Sequence, residues 1–306
     1  MKVLTVTLNP AIDKTGSMQS LMVGRVNRMK VMDNIPGGKG INVAKVLKQL
    51  GEESVATGFL GGYMGVYIEH ALKDMKMHCD FVRIEGNTRT NLNVLGEDGY
   101  VTEILEPGPF ISEPELERFM EKYKGLVDTV DYVVLSGSVP LNIPVNIYGT
   151  LCEIASAAGK RVILDSSGDY LREGIKGKPY LVKPNKQELE YLVGAKLSNL
   201  EDVELAARKA LSMGTEIAVV SLGSKGIMWV DKTQTIMQAP PAVKVHNTVG
   251  CGDSTVAALT YALLHNWNPG RAVHYAVAVA AANATTVESG QIPMETMEEL
   301  LQELEG

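Results

Sequence analysis

The sequence predicts an α/β fold: a mostly parallel sheet with helices on both faces, carrying a small β-lid. Three observations support it. From Asp131 on, short β-branched runs alternate with helical patterns: Tyr132–Leu135, a helix over about 144–158, Arg161–Asp165, Tyr180–Val182, a helix over 201–213 and Ile217–Ser221. Strands of that kind are buried on both faces of a parallel sheet. Two segments, 14–35 and 81–105, show short strand-like alternations with no helical period, which places them outside the main sheet, as lid strands. Polar clusters follow the strands at Asn9–Asp13, Ser136–Ser138, Asp165–Ser167, Lys183–Asn185 and Ser221–Gly223. Open parallel sheets bind ligands beyond the C-terminal ends of their strands, so these clusters mark one functional edge.

Composition narrows the class. Of 306 residues, 45% are hydrophobic and 21% charged, which supplies a sizeable core and argues against disorder. A net charge of −7 without a basic run argues against nucleic acid or an anionic membrane as partner. Bound phosphate would therefore need a local cluster of cations and amides. Cys79, Cys152 and Cys251 are too few and too scattered for a disulfide framework or a zinc site. The N-terminal run reads as a first strand, because Asn9-Pro10 and Asp13 interrupt it too early for a signal peptide. The longest apolar stretch, around Ala272 to Ala284, is too short to span a bilayer. A cytoplasmic protein is the expectation.

Taken in order, Val3–Leu8 alternates apolar residues with threonine and ends in a turn at Asn9-Pro10. Asp13, just behind, is placed to accept hydrogen bonds from ligand hydroxyls or to close an Asx-turn. Pro36-Gly37-Gly38-Lys39-Gly40 opens a helix with Val43, Val46, Leu47 and Leu50 on one face, ended by Gly51. This run suits a cradle for phosphate or hydroxyls, or an ordinary turn. It is not a P-loop, because Gly40 follows the lysine and the upstream glycine is missing. Val55–Leu60 is a strand, and helices are expected from about Gly65 to Met75 and from Glu113 to Leu126. Arg89 and Asn91, two apart on a lid strand, share a face and can reach a phosphate or hydroxyl together. An exposed strand arginine is the plainer reading. After the strand ending at Val182, Asn185 and Glu188 stand three apart at a helix start. They either orient Mg²⁺-bound water and nucleotide phosphate or form a capping box.

The stretch that carries chemistry is Asn247-Thr248-Val249-Gly250-Cys251-Gly252-Asp253-Ser254. Val256, Leu259, Thr260, Leu263 and Leu264 repeat at helical spacing, so a helix starts at or next to Asp253. The two glycines let the backbone approach a ligand, with N–H groups at the positive end of the helix dipole. An aspartate in the same turn can take a proton from a hydroxyl. A nest for developing negative charge beside a base suits phosphoryl transfer to an alcohol, and a plain helix cap is the competing reading of Asp253. The glycines make no dinucleotide fingerprint, since position 255 is Thr and the motif lies late in the chain. No histidine is patterned to make Cys251 a nucleophile, and His70, His78, His246, His265 and His274 lack metal spacing.

On Pro36–Ala44, Lys183-Pro184-Asn185 and Asn247–Ser254 together, the chain resembles the ribokinase-like (PfkB) sugar kinases over essentially its full length. Thr5–Asp13, Thr88-Arg89-Thr90-Asn91 and Ser136–Pro140 resemble the hexose-phosphate branch, which includes 1-phosphofructokinases and tagatose-6-phosphate kinases. The resemblance implies one kinase domain over 1–306, with ATP and Mg²⁺ as cofactors and a sugar phosphate as the small-molecule partner. Asp253 would be the base, with the amides of Gly250, Cys251 and Gly252 as the anion hole. Asp13, Gly38, Asn42 and Asp253 would hold sugar hydroxyls. Arg28, Lys39, Arg89 and Ser138 would surround the sugar's phosphate, joined by Asn91. Nucleotide would lie along Lys183, Asn185, Ser221, Gly223, Ser224, Gly226 and Thr248, with Asn283 toward the adenine and Glu188 placing Mg²⁺ through water. Lys39 resembles both 1-phosphofructokinases and tagatose-phosphate kinases; Thr90-Asn91 and the Gly40–Leu47 run favour fructose 1-phosphate as acceptor, while Thr102–Pro109 looks more like tagatose-6-phosphate kinase. Such kinases often pair through their lid strands, which implies a homodimer.

Overall fold

The structure, a computed structural model, describes residues 2–97 and 101–306. The chain opens with β1 (Val3–Thr7), β2 (Ala11–Met18), β3 (Lys30–Gly37), α1 (Lys39–Gln49), β4 (Ser54–Gly61) and α2 (Gly62–Asp74). Next come β5 (His78–Cys79), β6 (Val82–Ile84), β7 (Arg89–Gly96), β8 (Val101–Leu105) and α3 (Glu113–Val127). The regular part holds β9 (Tyr132–Ser136), α4 (Ile147–Ala157), β10 (Arg161–Asp165), α5 (Gly168–Gly174), β11 (Leu181–Val182), α6 (Lys186–Val193) and α7 (Leu200–Ser212). It closes with β12 (Ile217–Ser221), β13 (Ile227–Val230), β14 (Thr235–Gln238), α8 (Cys251–Leu264), α9 (Pro269–Ala284) and α10 (Met294–Glu305).

The main sheet runs β14-β13-β12-β11-β10-β9-β1-β4-β5, with β6 also against β4. Pairings from β12 to β5 are parallel, and β13 and β14 form an antiparallel edge. Alternation along the strands feeds two cores. Val133, Leu135, Val162 and Leu164 pack under α3, α4, α6 and α7, where Phe119, Tyr123, Tyr148 and Leu189 are buried. Tyr132, Val134, Ile163 and Val219 face the other way, onto α1, α8, α9 and α10. The sheet is thus covered on both faces, as its strand composition requires.

A second sheet, β3-β2-β7-β8, stands apart from the first. It confirms strands outside the main sheet but moves their bounds. The lid strands begin at Ala11 and end at Gly37 on one side. On the other, Val82–Ile84 pairs with β4 of the main sheet, and the lid strand starts only at Arg89. Residues 98–100, inside the expected lid run, lie outside the described residues. Ile12 of β2 packs with Ile41, Leu60, Ile68 and Leu72, which anchors the lid's base to α1 and α2.

Candidate active site

Because β1, β9, β10, β11 and β12 run parallel, their C-terminal ends meet at one edge. There the lid, α1 and the start of α8 enclose a cleft of about 580 Å³, within the range of small-molecule sites. All five strand-end clusters expected from the sequence contribute to its lining.

Its floor is the turn before α8. Gly250 caps the helix with φ 85°, and a Cβ there would lie 2.9 Å from the Gly290 nitrogen, so the left-handed turn needs glycine twice over. Gly252 differs: an added Cβ would meet only the Lys183 side chain, 3.6 Å from Nζ. Gly250 and Gly252 both line the cleft, so the backbone at these two positions is open toward a ligand. Asp253, 6% exposed, accepts a hydrogen bond from Asn42 Nδ2 at 2.8 Å. Burial pushes its carboxyl up to about 6, with the Asp165 charge adding to the rise, while Lys39, the Asn42 amide and Lys183 oppose it. A carboxylate titrating there is ionised at neutral pH yet basic enough to receive a proton.

Two cations face this base. Lys39 Nζ lies 3.3 Å from Asp165 Oδ2, and Lys183 Nζ 3.4 Å from Asp165 Oδ1. Burial works against ionisation of Asp165, but the Lys183 and Lys39 ammonium groups outweigh it and hold the carboxyl below the usual range. Burial also disfavours the Lys39 charge, and Asp165, Asp253 and Glu188 overcome that penalty. The pair of lysines so fixed can meet transferred phosphate.

The lid side is different in character. Asn91 Nδ2 donates to Asp13 Oδ1 at 2.9 Å across the β2–β7 register. Arg89 donates to the Asn9 carbonyl, to the Glu106 carbonyl at 2.7 Å and to Ser138 Oγ at 3.2 Å, which fixes its guanidinium at the cleft wall. The buried oxygens Asn42 Oδ1, Asn91 Oδ1, Asn93 Oδ1, Thr7 Oγ1 and Ser136 Oγ have no hydrogen-bond partner among the described residues, and all five side chains line the cleft. Buried polar atoms are rarely left unpaired in a native protein. Orphan acceptors around one cleft fit a ligand rich in hydroxyls.

Comparison with known proteins agrees with this geometry. The model of the pfkB family carbohydrate kinases matches residues 6–297. The chain belongs to that family. A 1-phosphofructokinase of Vibrio cholerae is 36% identical over 305 residues, which is 99% of this chain and 96% of that one. The tetrameric inhibited form of phosphofructokinase-2 from Escherichia coli superposes with a TM-score of 0.92 at 31% identity, over 100% of this chain and 99% of that one. A possible 1-phosphofructokinase from Thermotoga maritima does so with a TM-score of 0.89 at 30% identity, over 99% and 98% of the two chains. The fold is therefore ribokinase-like and the protein is a sugar-phosphate kinase.

The kinase gathers most of the residues expected from sequence. Asp13, Gly38, Lys39, Asn42, Arg89, Asn91, Ser138, Lys183, Asn185, Glu188, Ser221, Thr248, Gly250, Gly252 and Asp253 line the cleft. Gly223 lines an adjoining cavity of about 280 Å³ that shares Asn185 and Ser221 with it. Four others stand elsewhere. Arg28 is exposed on the irregular segment between β2 and β3 and is absent from the lining. Ser224 is exposed outside both cavities. Gly226 is buried under the Gln238 carbonyl, where its φ of 90° turns the chain into β13. Asn283, fully buried, does not reach toward an adenine. Its Nδ2 donates to the Val249 carbonyl at 3.0 Å and its Oδ1 accepts from the Gly290 amide at 2.8 Å, so it braces the nest from behind. The Cys251 side chain also turns to Asn283, and burial pushes its thiol up, away from a thiolate. Asn185 and Glu188 do form the capping box, at 2.8 and 2.7 Å, while both still line the cleft. Sequence reasoning missed Asn93, Glu103 and Leu105, although the alternation through Arg89 and Asn91 points on to position 93.

Proposed function

We propose that the protein transfers the γ-phosphoryl group of ATP to the 6-hydroxyl of fructose 1-phosphate, giving fructose 1,6-bisphosphate and ADP. The observation that carries this reading is Asp253. It is a buried, raised-pKa carboxylate in the first turn of α8, beside an open glycine nest and opposite an arginine-bearing lid. The sugar phosphate lies under the lid with its phosphate toward Arg89, Ser138 and Lys39, and its hydroxyls on Asp13, Asn91 and Asn42. Asp253 takes the proton of the attacking hydroxyl. The new O–P bond forms as the bond to the ADP oxygen breaks, and the amides of Gly250, Cys251 and Gly252 meet the charge on the transferring group. Triphosphate runs from the nest past Lys183 and Asn185 to Ser221, Gly223 and Thr248.

Mg²⁺ belongs with the nucleotide. Among the described residues no three metal-ligating side chains converge, and Mg²⁺ commonly keeps several waters while bound by a carboxylate and substrate phosphates. Glu188 fits that role: one oxygen caps α6 and the side chain still faces the cleft. When bound, Mg²⁺ would neutralise phosphate charge.

The 36% identity to a 1-phosphofructokinase supports fructose 1-phosphate. A neighbouring structure, phosphofructokinase-2 of Escherichia coli at 29% identity, is a complex with fructose 6-phosphate, so the family cleft accepts a ketohexose phosphate. The test is ADP release from ATP and Mg²⁺ with fructose 1-phosphate, tagatose 6-phosphate and fructose 6-phosphate in parallel. A preference of about a hundredfold or more for fructose 1-phosphate is expected. A lead for tagatose 6-phosphate overturns the substrate and keeps the chemistry; inactivity with all three overturns both.

The same reading places the enzyme in the cytoplasm; among the described residues no helix is long and apolar enough to cross a membrane. It also assigns a homodimer surface to the lid, where Met22, Val23, Val26 and Ile104 are 55%, 96%, 78% and 52% exposed. Sedimentation of the parent against Val23→Asp checks it; a monomeric parent refutes it.

A further inference from the structure

One face of α1 ties the sugar side of the cleft to the anion nest. Asn42, Lys45 and Gln49 stand at i, i+3 and i+7 on that helix, so they form a single stripe. Asn42 meets Asp253 from it. Lys45 and Gln49 lie further along, behind the cleft, and reach the segment that follows α9. Lys45 Nζ donates to the Ser289 carbonyl at 3.0 Å, and Gln49 Nε2 donates to the Gly290 carbonyl at 2.7 Å. Gln49 Oε1 accepts from the Ile292 amide at 2.8 Å.

The turn so held is the back wall of the nest. Gly290, at φ 72°, is wedged between Gly250 and Asn42. A Cβ on Gly250 would lie 2.9 Å from the Gly290 nitrogen and 3.0 Å from the Ser289 Cβ, and one on Gly290 would lie 3.5 Å from the Asn42 Cβ. A shift of the turn is therefore felt at Gly250, because close-packed interiors transmit strain. The tie is also a costly one. Lys45 is buried, its ammonium carries three donors, and among the described residues the Ser289 carbonyl is its hydrogen-bond acceptor. Burial pulls that ammonium below the usual lysine range, with the charges of Asp13, Glu288 and Asp253 opposing. A neutral side chain would hold an ordinary loop at less desolvation cost.

We propose that Lys45 and Gln49 are positioning residues for phosphoryl transfer: they hold the Ser289–Gly290 turn against Gly250 and so set the nest relative to Asp253. The inference rests on the function proposed above and adds what fixes the geometry of its anion hole. Neither residue lines the cleft, so both act through the turn. An amide stabilises the transferring group only where it meets the developing charge at hydrogen-bond distance. A turn freed to shift loosens that contact. It leaves the binding of sugar phosphate and nucleotide, which the lid and the strand ends supply, nearly as before.

The experiment compares the parent with Lys45→Met and Gln49→Met, which keep an unbranched side chain and remove its donors. It reads kcat and the KM values for fructose 1-phosphate and ATP, corrected for the folded fraction, together with the melting temperature. Lys45→Met is expected to lower kcat by about tenfold or more, with both KM values within about threefold of the parent, as for an interaction made only in the transition state. Gln49→Met is expected to lower kcat severalfold with the same split. Gln49 is half-buried, so its variant decides the question should Lys45→Met not fold. A melting temperature that falls while kcat and both KM values stay at the parent's makes the two side chains plain structural ties and overturns the proposal. A sugar-phosphate KM that rises at unchanged kcat puts Lys45 in the service of Asp13 and not of the nest, and overturns it too. A parent inactive on every sugar phosphate overturns the functional reading and this inference with it.

Discussion

Asp253→Asn separates the chemistry of the base from its structural role, because the two predict opposite signs for stability. The parent carboxyl titrates at about 6, so about 90% of it is ionised at pH 7 and about 10% at pH 5. kcat/KM for the sugar phosphate should therefore fall roughly tenfold between those values on account of this group. Asn cannot accept the proton, and turnover should drop by about a hundred- to ten-thousandfold, with the acidic limb abolished. Stability should move the other way. The folded value lies above the unfolded one, so the folded state binds the proton more tightly and loses stability as pH rises from about 4 to about 6. Holding the ionised carboxylate in place costs roughly 3 kcal/mol at neutral pH, as an order of magnitude. The Asn variant, which keeps an acceptor for Asn42, should be more stable than the parent at pH 7, and the gap should close below pH 4. The assays are a coupled ADP-release profile from pH 5 to 8 and denaturant unfolding at pH 7 and pH 4. A variant that keeps turnover within about threefold of the parent, or that is less stable at pH 7, refutes this account of Asp253.

Gly252→Ala should fold normally, since its methyl meets only the end of Lys183, but should lower kcat/KM by at least about a hundredfold by filling the place of the transferring group; crystals and kinetics of the variant check both halves. Arg89→Ala should raise the KM for sugar phosphate by at least about tenfold more than the KM for ATP, and equal effects would move Arg89 out of the sugar pocket. Asp165→Ala leaves the 4%-exposed Lys183 ammonium without its counter-ion, and should destabilise by about 3–5 kcal/mol in denaturant unfolding. In the parent, Asp165 is held below the usual carboxylate range, so its contribution is present above the unfolded value and is lost as pH falls through the lowered folded one. Lys39→Met removes the cation that most lowers Asp253, and the acidic limb of the rate profile should move to higher pH.

Much of this cleft was legible because it is built from strand ends and helix starts. Short β-branched runs located β9, β10 and β12, and their polar successors had to share an edge once the sheet was parallel. The nest was legible for the same reason, as glycines immediately before an apolar helical repeat. What failed lay where local pattern says nothing. Arg28 sits on an irregular segment whose path no periodicity encodes. Asn283, set toward the adenine by the resemblance, braces a turn more than thirty residues away, donating to the Val249 carbonyl 34 positions earlier. The convergence of Lys39 and Lys183 on Asp165 joins α1 to β10 across 126 residues, a contact that only the strand order reveals. Glu103 required the register of β8 on β7. Asn185 and Glu188 show that two readings of one motif are compatible, for the capping box is formed and its members still face the cleft.

The most direct test of the central claim is to identify the product. Fructose 1-phosphate, ATP and Mg²⁺ are incubated with the parent enzyme and with Asp253→Asn, and the sugar is followed by phosphorus NMR and mass spectrometry. The account predicts a second phosphate monoester on C6, formed in step with ADP by the parent and barely at all by the variant. ADP accompanied by inorganic phosphate and unchanged fructose 1-phosphate would contradict it, because phosphoryl would then be passing to water and not to the sugar hydroxyl.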